Sequence, residues 1–415
     1  MNSAILNARE ERINNLKRHM RGNYSYIIVK ANYPGNNKNG LGVSLIINYF
    51  KSLIMKKFQC NDVWFYPSLD GDYYIIEFEI DKIELKKELV EIEESDRLGR
   101  FIDLDVYQGS LISVSRLDIG YSKRKCYLCD NDAIICARTK AHKTSDLINK
   151  IDTDTDSFLG DTFNRLIKES MLIELELDPK FGLVSKESSG SHKDMDYHLM
   201  IKAMDSVIPY ITSMGLIGYH NDLSSSYRMI RDVGKECEKR MLEATKGVNC
   251  YKGLIFLLGF VVCALGNYLQ DFKGSLRERL INLAKPVKGD FESFTGKTFG
   301  EEAYLKYNIR GIRGELIDGL NSAFSNIDKI DYSKENLIKA LIRIISQIDD
   351  TVLLKRSGSI EKYNYYKKLV SSSKLEDAGE VTKECIQNGI SFGGAADILV
   401  VTIFLKKMKE IFDYE

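Results

Sequence analysis

Two acidic residues, Asp103 and Asp105, are separated by one position in the largely apolar run LGRFIDLDVY. Alternate side chains of a β-strand point to the same face, so this spacing pairs the two carboxylates. Paired carboxylates repel each other unless a cation lies between them, and Mg²⁺ is commonly bound by one or two carboxylates together with substrate phosphates. The pair therefore predicts a magnesium site, although D-x-D is also typical of the exposed face of an ordinary strand.

A second group downstream consists of three thiols and an imidazole: Cys126, Cys129, Cys136 and His142. Three cysteines and one histidine can form a tetrahedral zinc site, and this chemistry is the functional interpretation. The alternative is a set of reduced cysteines packed near a tight turn. In that case Arg124 and Arg138 would be the functional residues of the segment, with their guanidinium groups contacting phosphate.

Four regions of the second half place glycine beside charged or amide side chains at predicted helix ends: 178–184 with 190–196, 247–253, 310–315 and 391–397. A helix N-terminus offers free N–H groups to an anion. Any one region could be helix capping alone, and Ser191 with Asp194 has the spacing of a capping box. Four such regions in one helical domain indicate a shared polyphosphate and metal site.

The elements that must position these residues differ between the two halves of the chain. Up to about residue 120, short β-rich runs alternate with helical stretches. We predict helices over 4–20, 43–57 and 82–94, and strands over 24–31, 73–80, 101–107 and 111–119, with a hairpin turn at 108–110. Beyond residue 158 the pattern is helical almost throughout, which predicts an α+β domain followed by a larger all-α domain.

The polar stretch 150–157, KIDTDTDS, is interpreted as a solvated linker between domains 1–150 and 158–415. The uncharged stretch 253–266 is shorter than the roughly 20 residues that span a bilayer, so it predicts a buried core helix.

Composition limits the function classes. The 59 basic residues equal the 59 acidic ones, which argues against a general binder of nucleic acid or anionic membranes. Eight cysteines in 415 residues are too few for a disulfide scaffold, and no apolar leader follows the first residue. We therefore expect a cytoplasmic protein with reduced thiols, and neither nucleic acid nor membrane as a partner.

The second domain resembles the triphosphoribosyl-dephospho-CoA synthase family of the citrate lyase and malonate decarboxylase systems. The matching segments are PKFGLV, GSHKDMD, GVNCYKG, RGIRGE, DDTVLLKRSG and SFGGAADILVVTIFL. The first domain resembles the citrate lyase holo-acyl-carrier-protein synthase family, a phosphoribosyl-dephospho-CoA transferase, through ILNAREER, LGRFIDLDV, SRLDIG and KCYLC…ICAR…H. The whole chain is similar to a natural fusion of these two transferases.

The resemblance implies a nucleotidyltransferase-like first domain and two consecutive reactions. ATP and 3′-dephospho-CoA would give 2′-(5″-triphosphoribosyl)-3′-dephospho-CoA and adenine. A serine of the citrate lyase acyl carrier protein, its gamma subunit, would then accept the phosphoribosyl-dephospho-CoA group with release of diphosphate. Many members read GVNTHKG where this chain has Cys250 and Tyr251, and Phe181 stands where proline is usual.

The resemblance assigns roles to particular residues. The proposed catalytic residues are Asp103, Asp105, Asp194, Asp196 and Asp397, with Mg²⁺ at Asp103 and Asp105 and a second Mg²⁺ at Asp194 and Asp196. The proposed contacts to ATP, dephospho-CoA and their phosphates are Arg100, Lys180, His192, Asn249, Lys252, Arg310, Arg313, Glu315, Gly393 and Gly394.

Two rival functions stay open at this point. All-α hydrolases of ADP-ribosyl groups also place aspartate clusters around Mg²⁺ at helix ends. A zinc-containing adaptor that only docks to a carrier protein is the rival without catalysis.

Overall fold

The computed structural model describes residues 3–414, so residues 1, 2 and 415 at the ends of the predicted domain ranges lie outside it. The chain forms two compact units. The first comprises Met1–Leu159, Leu269–Phe272 and Ile411–Asp413, and the second comprises Gly160–Tyr268, Lys273–Glu410 and Tyr414–Glu415.

The first unit combines helices with a four-stranded antiparallel sheet in the order β2-β3-β1-β4. The strands are β1 (Ser25–Ala31), β2 (Asp62–Tyr66), β3 (Tyr73–Phe78) and β4 (Ile102–Gln108). The helices are α1 (Ser3–His19), α2 (Val43–Lys57), α3 (Lys82–Ser95), α4 (Ala133–Thr139) and the first part of α5 (Thr144–Leu175).

Both faces of this sheet are covered, which explains the nearly continuous apolar character of β1. Ile27 and Val29 belong to the core that includes buried residues of α2 and α3. Tyr26 and Ile28 point to the opposite face and pack with Leu16 of α1. The face covered by α1 is the face that carries the charged residues described below.

Most predicted elements of this unit are present, but the predicted strand over 111–119 is wrong. Val114 makes a single bridge to Val106, and Leu117–Ile119 is a short 3₁₀ turn. This segment has little core to bury against, because Ile112 is 81% exposed and Leu117 is 60% exposed. Strand β2 was not predicted, because it is only five residues long and its residues are exposed or only partly buried.

The predicted linker over 150–157 is also wrong, because this stretch lies inside the continuous helix α5. Ile148, Ile151 and Phe158 pack on the core of the first unit, and Thr155 is buried. Their spacing of three, four and three residues places all four on one helix face. In the sequence, the alternating Asp and Thr residues obscure this weaker apolar periodicity.

The second unit is all-α, and it contains the remainder of α5. Its further helices are α6 (Tyr197–His220), α7 (Leu223–Ala244), α8 (Lys252–Tyr268), α9 (Leu276–Ala284), α10 (Lys288–Glu292), α11 (Phe299–Tyr307), α12 (Gly311–Ile317), α13 (Asn321–Phe324), α14 (Lys334–Gln347), α15 (Thr351–Ser357), α16 (Ile360–Ser372), α17 (Ala378–Gln387) and α18 (Gly393–Phe412). The predicted α+β domain followed by an all-α region is thereby confirmed.

The predicted buried helix over 253–266 is confirmed as α8, in which nearly every residue from Leu254 to Tyr268 is buried. Among the described residues, no helix is long and apolar enough to cross a membrane.

Candidate active sites

The acidic pair of the first unit lies on β4, beside β1. Asp103 is opposite Lys30, and Asp105 is opposite Ile28, in the antiparallel register of the two strands. Residues opposite each other share a face of the sheet, so both carboxylates point to the face covered by α1. Sequence spacing and tertiary structure agree on this pairing.

A buried aspartate that the sequence did not single out organises the basic residues on this face. Asp70 is fully buried and accepts a hydrogen bond from Arg9 Nε at 3.0 Å. It also pairs with Arg12, and Lys30 Nζ lies 3.6 Å from its carboxylate. Arg9 and Arg12 are three residues apart on α1, so they share one side of that helix. They belong to the segment ILNAREER, whose spacing could have identified them.

Burial and like charge shift the ionisation of this cluster. Burial raises the pKa of Asp105, and the Asp103 carboxylate raises it further, while Lys86, Arg124 and Arg12 oppose both effects. Burial lowers the pKa of Lys30, partly offset by Asp70. A buried carboxylate beside a second one is a favourable place for a divalent cation, which would offset the cost of burying the Asp105 charge.

Arg124 forms an ion pair with Asp103, one member of the acidic pair. Its Nη1 donates to Asp103 Oδ1 at 2.6 Å and to the carbonyl oxygen of Ile102 at 2.7 Å. Its Nη2 donates to Glu93, a buried residue of α3. Arg116 donates to the other oxygen of Glu93 at 2.9 Å. The guanidinium group of Arg124 is therefore hydrogen-bonded to two carboxylates of this chain.

The predicted Cys/His group is brought together next to Arg124. The ligand atoms of Cys126, Cys129, Cys136 and His142 all lie within 4.8 Å of one another. Cys126 and Cys129 lie in a tight hairpin, closed by Cys126 N–H donating to Asn131 O at 2.8 Å. Cys136 lies on α4 and His142 follows that helix. This group could hold a metal ion.

In the second unit, His192 connects three of the motif segments. Arg356 Nη2 lies 2.7 Å from His192 Nδ1, and His192 Nε2 lies 3.0 Å from Ser391 Oγ. An arginine can only donate, so Nδ1 accepts and Nε2 carries the hydrogen that is donated to Ser391. Burial and the Arg356 charge lower the pKa of His192 to about 4, against the opposing charge of Asp194. The imidazole is therefore neutral at physiological pH.

Asp350 joins the starts of two helices. Its Oδ1 accepts from the N–H groups of Val352 at 2.8 Å and Leu353 at 3.1 Å, which caps α15. Its Oδ2 accepts from Ala395 N–H at 3.1 Å in the first turn of α18. A Cβ atom at Gly394 would lie 3.1 Å from the Asp350 carboxyl carbon, so the close approach favours glycine there. Burial raises the pKa of Asp350, although these N–H groups stabilise its charge.

Asp397 lies two residues after Ala395 on α18 and faces the start of α8. A Cβ atom at Gly253 would lie 2.1 Å from Asp397 Oδ2, so only glycine fits at that position. Burial raises the pKa of Asp397 well above its ordinary value, and the charges of Asp350 and Glu174 raise it further. Without a cation, this carboxyl group therefore keeps its proton to a higher pH than an ordinary aspartate does.

Tyr251 is 4% exposed, and its hydroxyl has no hydrogen-bond partner among residues 3–414. Burial raises its pKa, and Glu174 and Asp397 are among the neighbouring charges that add to this effect. Tyr251 occupies the position that the resemblance gives to histidine.

Asp194 and Asp196 border an open cavity of about 470 Å³. Its lining residues are Ser189, His192, Lys193, Asp194, Met195, Asp196, His198, Leu199 and Lys202. Asp196, rather than Asp194, caps α6 by accepting from Leu199 N–H at 2.8 Å. Burial raises the pKa of Cys250 to about 11, and the charges of Asp194 and Asp196 raise it further. The segment that contains Cys250 therefore lies near the segment that contains these two aspartates.

The predicted phosphate contacts have other partners in this structure. Lys180 is buried, and its Nζ donates to Glu174 Oε1 at 2.9 Å and to Glu174 O at 2.8 Å. Lys252 pairs with Glu238, and Arg310 pairs with Asp318. The geometry gives Lys180 a structural role, whereas Lys252 and Arg310 remain solvent-accessible.

The remaining predicted residues also have partners within the protein. Arg313 lies over the rings of Phe256 and Phe294 at 5.6 and 5.7 Å. Asn249 Oδ1 accepts from Lys252 N–H at 3.1 Å at the start of α8. Glu315 Oε2 accepts from Ser322 Oγ at 2.6 Å.

The structure brings some of the predicted residues together and adds others that were not predicted from the sequence. The structure brings together Asp103 with Asp105, the four Cys/His residues, and the segments that carry His192, Gly253, Gly394 and Asp397. Sequence reasoning did not assign the roles of Arg9, Arg12, Lys30, Asp70 and Tyr251. Asp350 and Arg356 lie in the matching segment DDTVLLKRSG, but the sequence predicted no individual role for either.

Comparison with known proteins gives two family matches. Residues 161–415 match the family CitG, described as ATP:dephospho-CoA triphosphoribosyl transferase. Residues 2–158 match the family CitX, described as apo-citrate lyase phosphoribosyl-dephospho-CoA transferase.

Individual relatives match both regions together. The chain is 31% identical over 365 residues to the protein CitXG of Leuconostoc mesenteroides subsp. cremoris, covering 78% of each chain. It is 30% identical over 362 residues to the protein CitXG of Haemophilus influenzae, covering 78% of this chain and 77% of the relative. A 2-(5″-triphosphoribosyl)-3′-dephosphocoenzyme-A synthase of Haemophilus ducreyi is 27% identical over 316 residues, with 67% of this chain and 98% of the relative covered. The chain therefore belongs to the CitXG family, in which a CitX region is joined to a CitG region.

Proposed function

We propose that this chain makes and attaches the prosthetic group of citrate lyase in two consecutive transferase reactions. The region 158–415 converts ATP and 3′-dephospho-CoA to 2′-(5″-triphosphoribosyl)-3′-dephospho-CoA and adenine. The region 1–150 transfers the product to a serine of the citrate lyase acyl carrier protein and releases diphosphate. The observation that carries the first assignment is the convergence of distant motif segments around His192, Gly253 and Asp397.

In the first reaction, the 2′-hydroxyl of dephospho-CoA attacks ribose C1′ of ATP. The bond from C1′ to the adenine nitrogen breaks, the hydroxyl proton passes to a base, and adenine leaves after gaining a proton. Asp397 is our candidate for proton transfer, because burial holds its pKa well above that of an ordinary aspartate. Lys252, Arg310 and Arg313 are the candidate cations for the retained triphosphate, which requires their present ion pairs to exchange partners.

In the second reaction, the carrier serine hydroxyl attacks the α-phosphate of the intermediate. The bond between the α-phosphorus and the oxygen that bridges to the β-phosphate breaks, the serine hydroxyl proton passes to a base, and diphosphate leaves. Arg9, Arg12 and Lys30 are cations on the same face as the acidic pair, and they are positioned to neutralise a phosphate chain. This chemistry supports the nucleotidyltransferase-like character of the first unit, and the corresponding fold relationship stays a prediction.

Mg²⁺ fits both acidic groups by the chemistry of their donors. Asp103 and Asp105 would hold it in the first unit, and Asp194 and Asp196 would hold it beside the open cavity of the second. A bound Mg²⁺ would neutralise phosphate charge as it develops. The zinc ion predicted at the Cys/His group takes no part in either reaction step and is a separate proposal.

The test is incubation of the full chain with ATP, 3′-dephospho-CoA and the apo acyl carrier subunit of citrate lyase. We expect adenine release that depends on dephospho-CoA, and a mass increase of the carrier subunit equal to one phosphoribosyl-dephospho-CoA group. Adenine release without an acceptor would indicate the hydrolase instead. Binding of the carrier without any mass change would indicate the adaptor.

The substrates and the reduced thiols of the structure fit a cytoplasmic site of action.

A further inference from the structure

The segment that carries the Cys/His group has almost no core of its own. Within the described stretch 121–143, the only buried residues are Cys126 and Cys136. Its apolar residues Ile134 and Ile135 are 47% and 51% exposed. Tyr127 packs against the core of the first unit, edge-on to Phe101 at 5.2 Å between ring centroids, but the rest of the hairpin and the short helix bury little besides thiols. A metal ion bound by the thiols would add a constraint that this small apolar contact does not supply.

The four donor atoms, which all lie within 4.8 Å of one another, are close enough together to surround one metal ion. Cys129 Sγ lies 3.5 Å from Cys136 Sγ and 3.4 Å from His142 Nε2. Sulfur ligands lie about 2.3 Å from a tetrahedral zinc ion, which places two of them about 3.8 Å apart. All the cysteines of the chain are free thiols in this structure, so a disulfide does not account for the close approach. Three thiolates and one imidazole form a donor set typical of structural zinc.

The same segment is attached to the acidic site by residues next to the first ligand. Arg124, two residues before Cys126, donates to Asp103 at 2.6 Å. Arg100 donates to the carbonyl oxygen of Cys126 at 2.5 Å. The hydroxyl of Tyr127 donates to the carbonyl oxygen of Asn32, which directly follows β1. The hairpin of the thiols therefore lies against the ends of the two strands that carry Lys30 and Asp103.

We propose that Cys126, Cys129, Cys136 and His142 bind one zinc ion, which fixes this segment and thereby positions Arg124 against Asp103. Arg124 is a positioning residue, because it acts through the acidic pair. The metal site rests on the donor geometry alone, whereas its effect on activity rests on the proposed transferase function of the first unit.

The first measurement is the metal content of the full chain purified without chelators. We expect about one zinc per chain in the unmodified protein and in Cys60→Ser, a matched control whose thiol lies outside the cluster. Cys129→Ser removes the thiol that contacts two other ligands, and we expect it to lose the zinc. Cobalt substitution of the unmodified protein should give the absorption of a tetrahedral thiolate site. A zinc content below about 0.2 per chain in the unmodified protein would overturn the proposal.

The second measurement separates the positioning role from folding. In Cys129→Ser we expect carrier modification to fall about 10- to 100-fold, with a higher Mg²⁺ concentration needed for half-maximal rate. Adenine release from ATP and dephospho-CoA should be unchanged, and Cys129→His should restore both zinc and carrier modification because histidine is also a zinc ligand. Normal carrier modification by a zinc-free Cys129→Ser protein would overturn the positioning role. A full zinc content in a protein that never modifies the carrier would support the metal site and reject the transferase assignment.

If Cys129→Ser does not fold, the same comparison can be made by removing zinc from the unmodified protein with a chelator and adding it back. Retained far-ultraviolet circular dichroism with reversible loss of carrier modification supports the proposal. Unchanged carrier modification after complete zinc removal contradicts it.

Discussion

The two candidate active sites use carboxylates in opposite ways. In the first unit, Asp103 and Asp105 lie close together on one strand, and Arg124, Lys30 and the other basic residues surround them. In the second unit, Asp350 and Asp397 are buried at helix starts, and backbone N–H groups satisfy Asp350. The first arrangement is suited to holding a cation against phosphate, whereas the burial of the second raises the pKa values of its carboxyl groups and favours their protonated forms. The comparison indicates that the two reactions can be disabled separately.

The largest expected effect comes from removing the acidic pair of the first unit. Asp103→Asn combined with Asp105→Asn keeps the side-chain shape but removes both negative charges that would hold Mg²⁺. We expect carrier modification to fall about 10³-fold. Adenine release should stay within twofold of the unmodified protein, and mass spectrometry of the carrier with chromatography of adenine measures both. Equal loss of both activities would contradict independent sites.

The reciprocal change tests the second unit. Asp397→Asn removes the ionisable group with the raised pKa, so we expect adenine release to fall about 10²-fold. Carrier modification from supplied triphosphoribosyl-dephospho-CoA should remain normal. Asp205→Asn, an exposed residue of α6 that pairs with Lys168, is the control and should leave both rates unchanged. An active Asp397→Asn protein would exclude Asp397 from proton transfer.

A third experiment distinguishes a structural Lys180 from a phosphate-binding one. Lys180→Met leaves the Glu174 carboxylate buried without its cation, so we expect the second unit to lose about 3–5 kcal/mol of unfolding free energy. Lys168→Met breaks an exposed pair and should cost at most about 1 kcal/mol. Urea unfolding followed by circular dichroism measures both variants. A stable Lys180→Met protein with weakened ATP binding would restore the phosphate role predicted from the sequence.

The smallest expected effect concerns pH. Burial and Arg356 lower the pKa of His192 to about 4 in the folded chain, whereas an unfolded histidine has a pKa of about 6.5. The unfolded chain therefore takes up the proton first as pH falls, so the folded state loses stability between about pH 6.5 and 4 and not above that range.

The pH experiment uses His192→Gln and compares its unfolding free energy with that of the unmodified protein across this range. We expect the variant to show a weaker dependence on pH. His198→Gln changes an exposed histidine of α6 and should keep the original dependence. An identical slope in all three proteins would show that His192 is not the responsible group.

Local spacing was sufficient for some parts of the fold and insufficient for others. The two-residue spacing of Asp103 and Asp105 and the apolar run of α8 each predicted a structural feature that is present. The same approach misplaced a strand over 111–119, because an apolar pattern indicates a strand only where there is a core to bury it. It also interpreted 150–157 as a linker, because polar residues on the exposed side of α5 obscured Ile151 and Phe158 on the buried side.

The sequence by itself determined the two-part organisation, the acidic pair, the Cys/His group and the family resemblance, because these depend on residue type and on spacings of a few residues. Only the tertiary structure decided that Asp70 forms ion pairs with Arg9 and Arg12, or that Asp350 accepts hydrogen bonds from the first turns of two helices. It also decided that Lys180 is buried against Glu174 rather than exposed to phosphate. These contacts depend on which helix and strand surfaces pack together, and the burial that sets the pKa of Asp397 arises only after that packing is complete.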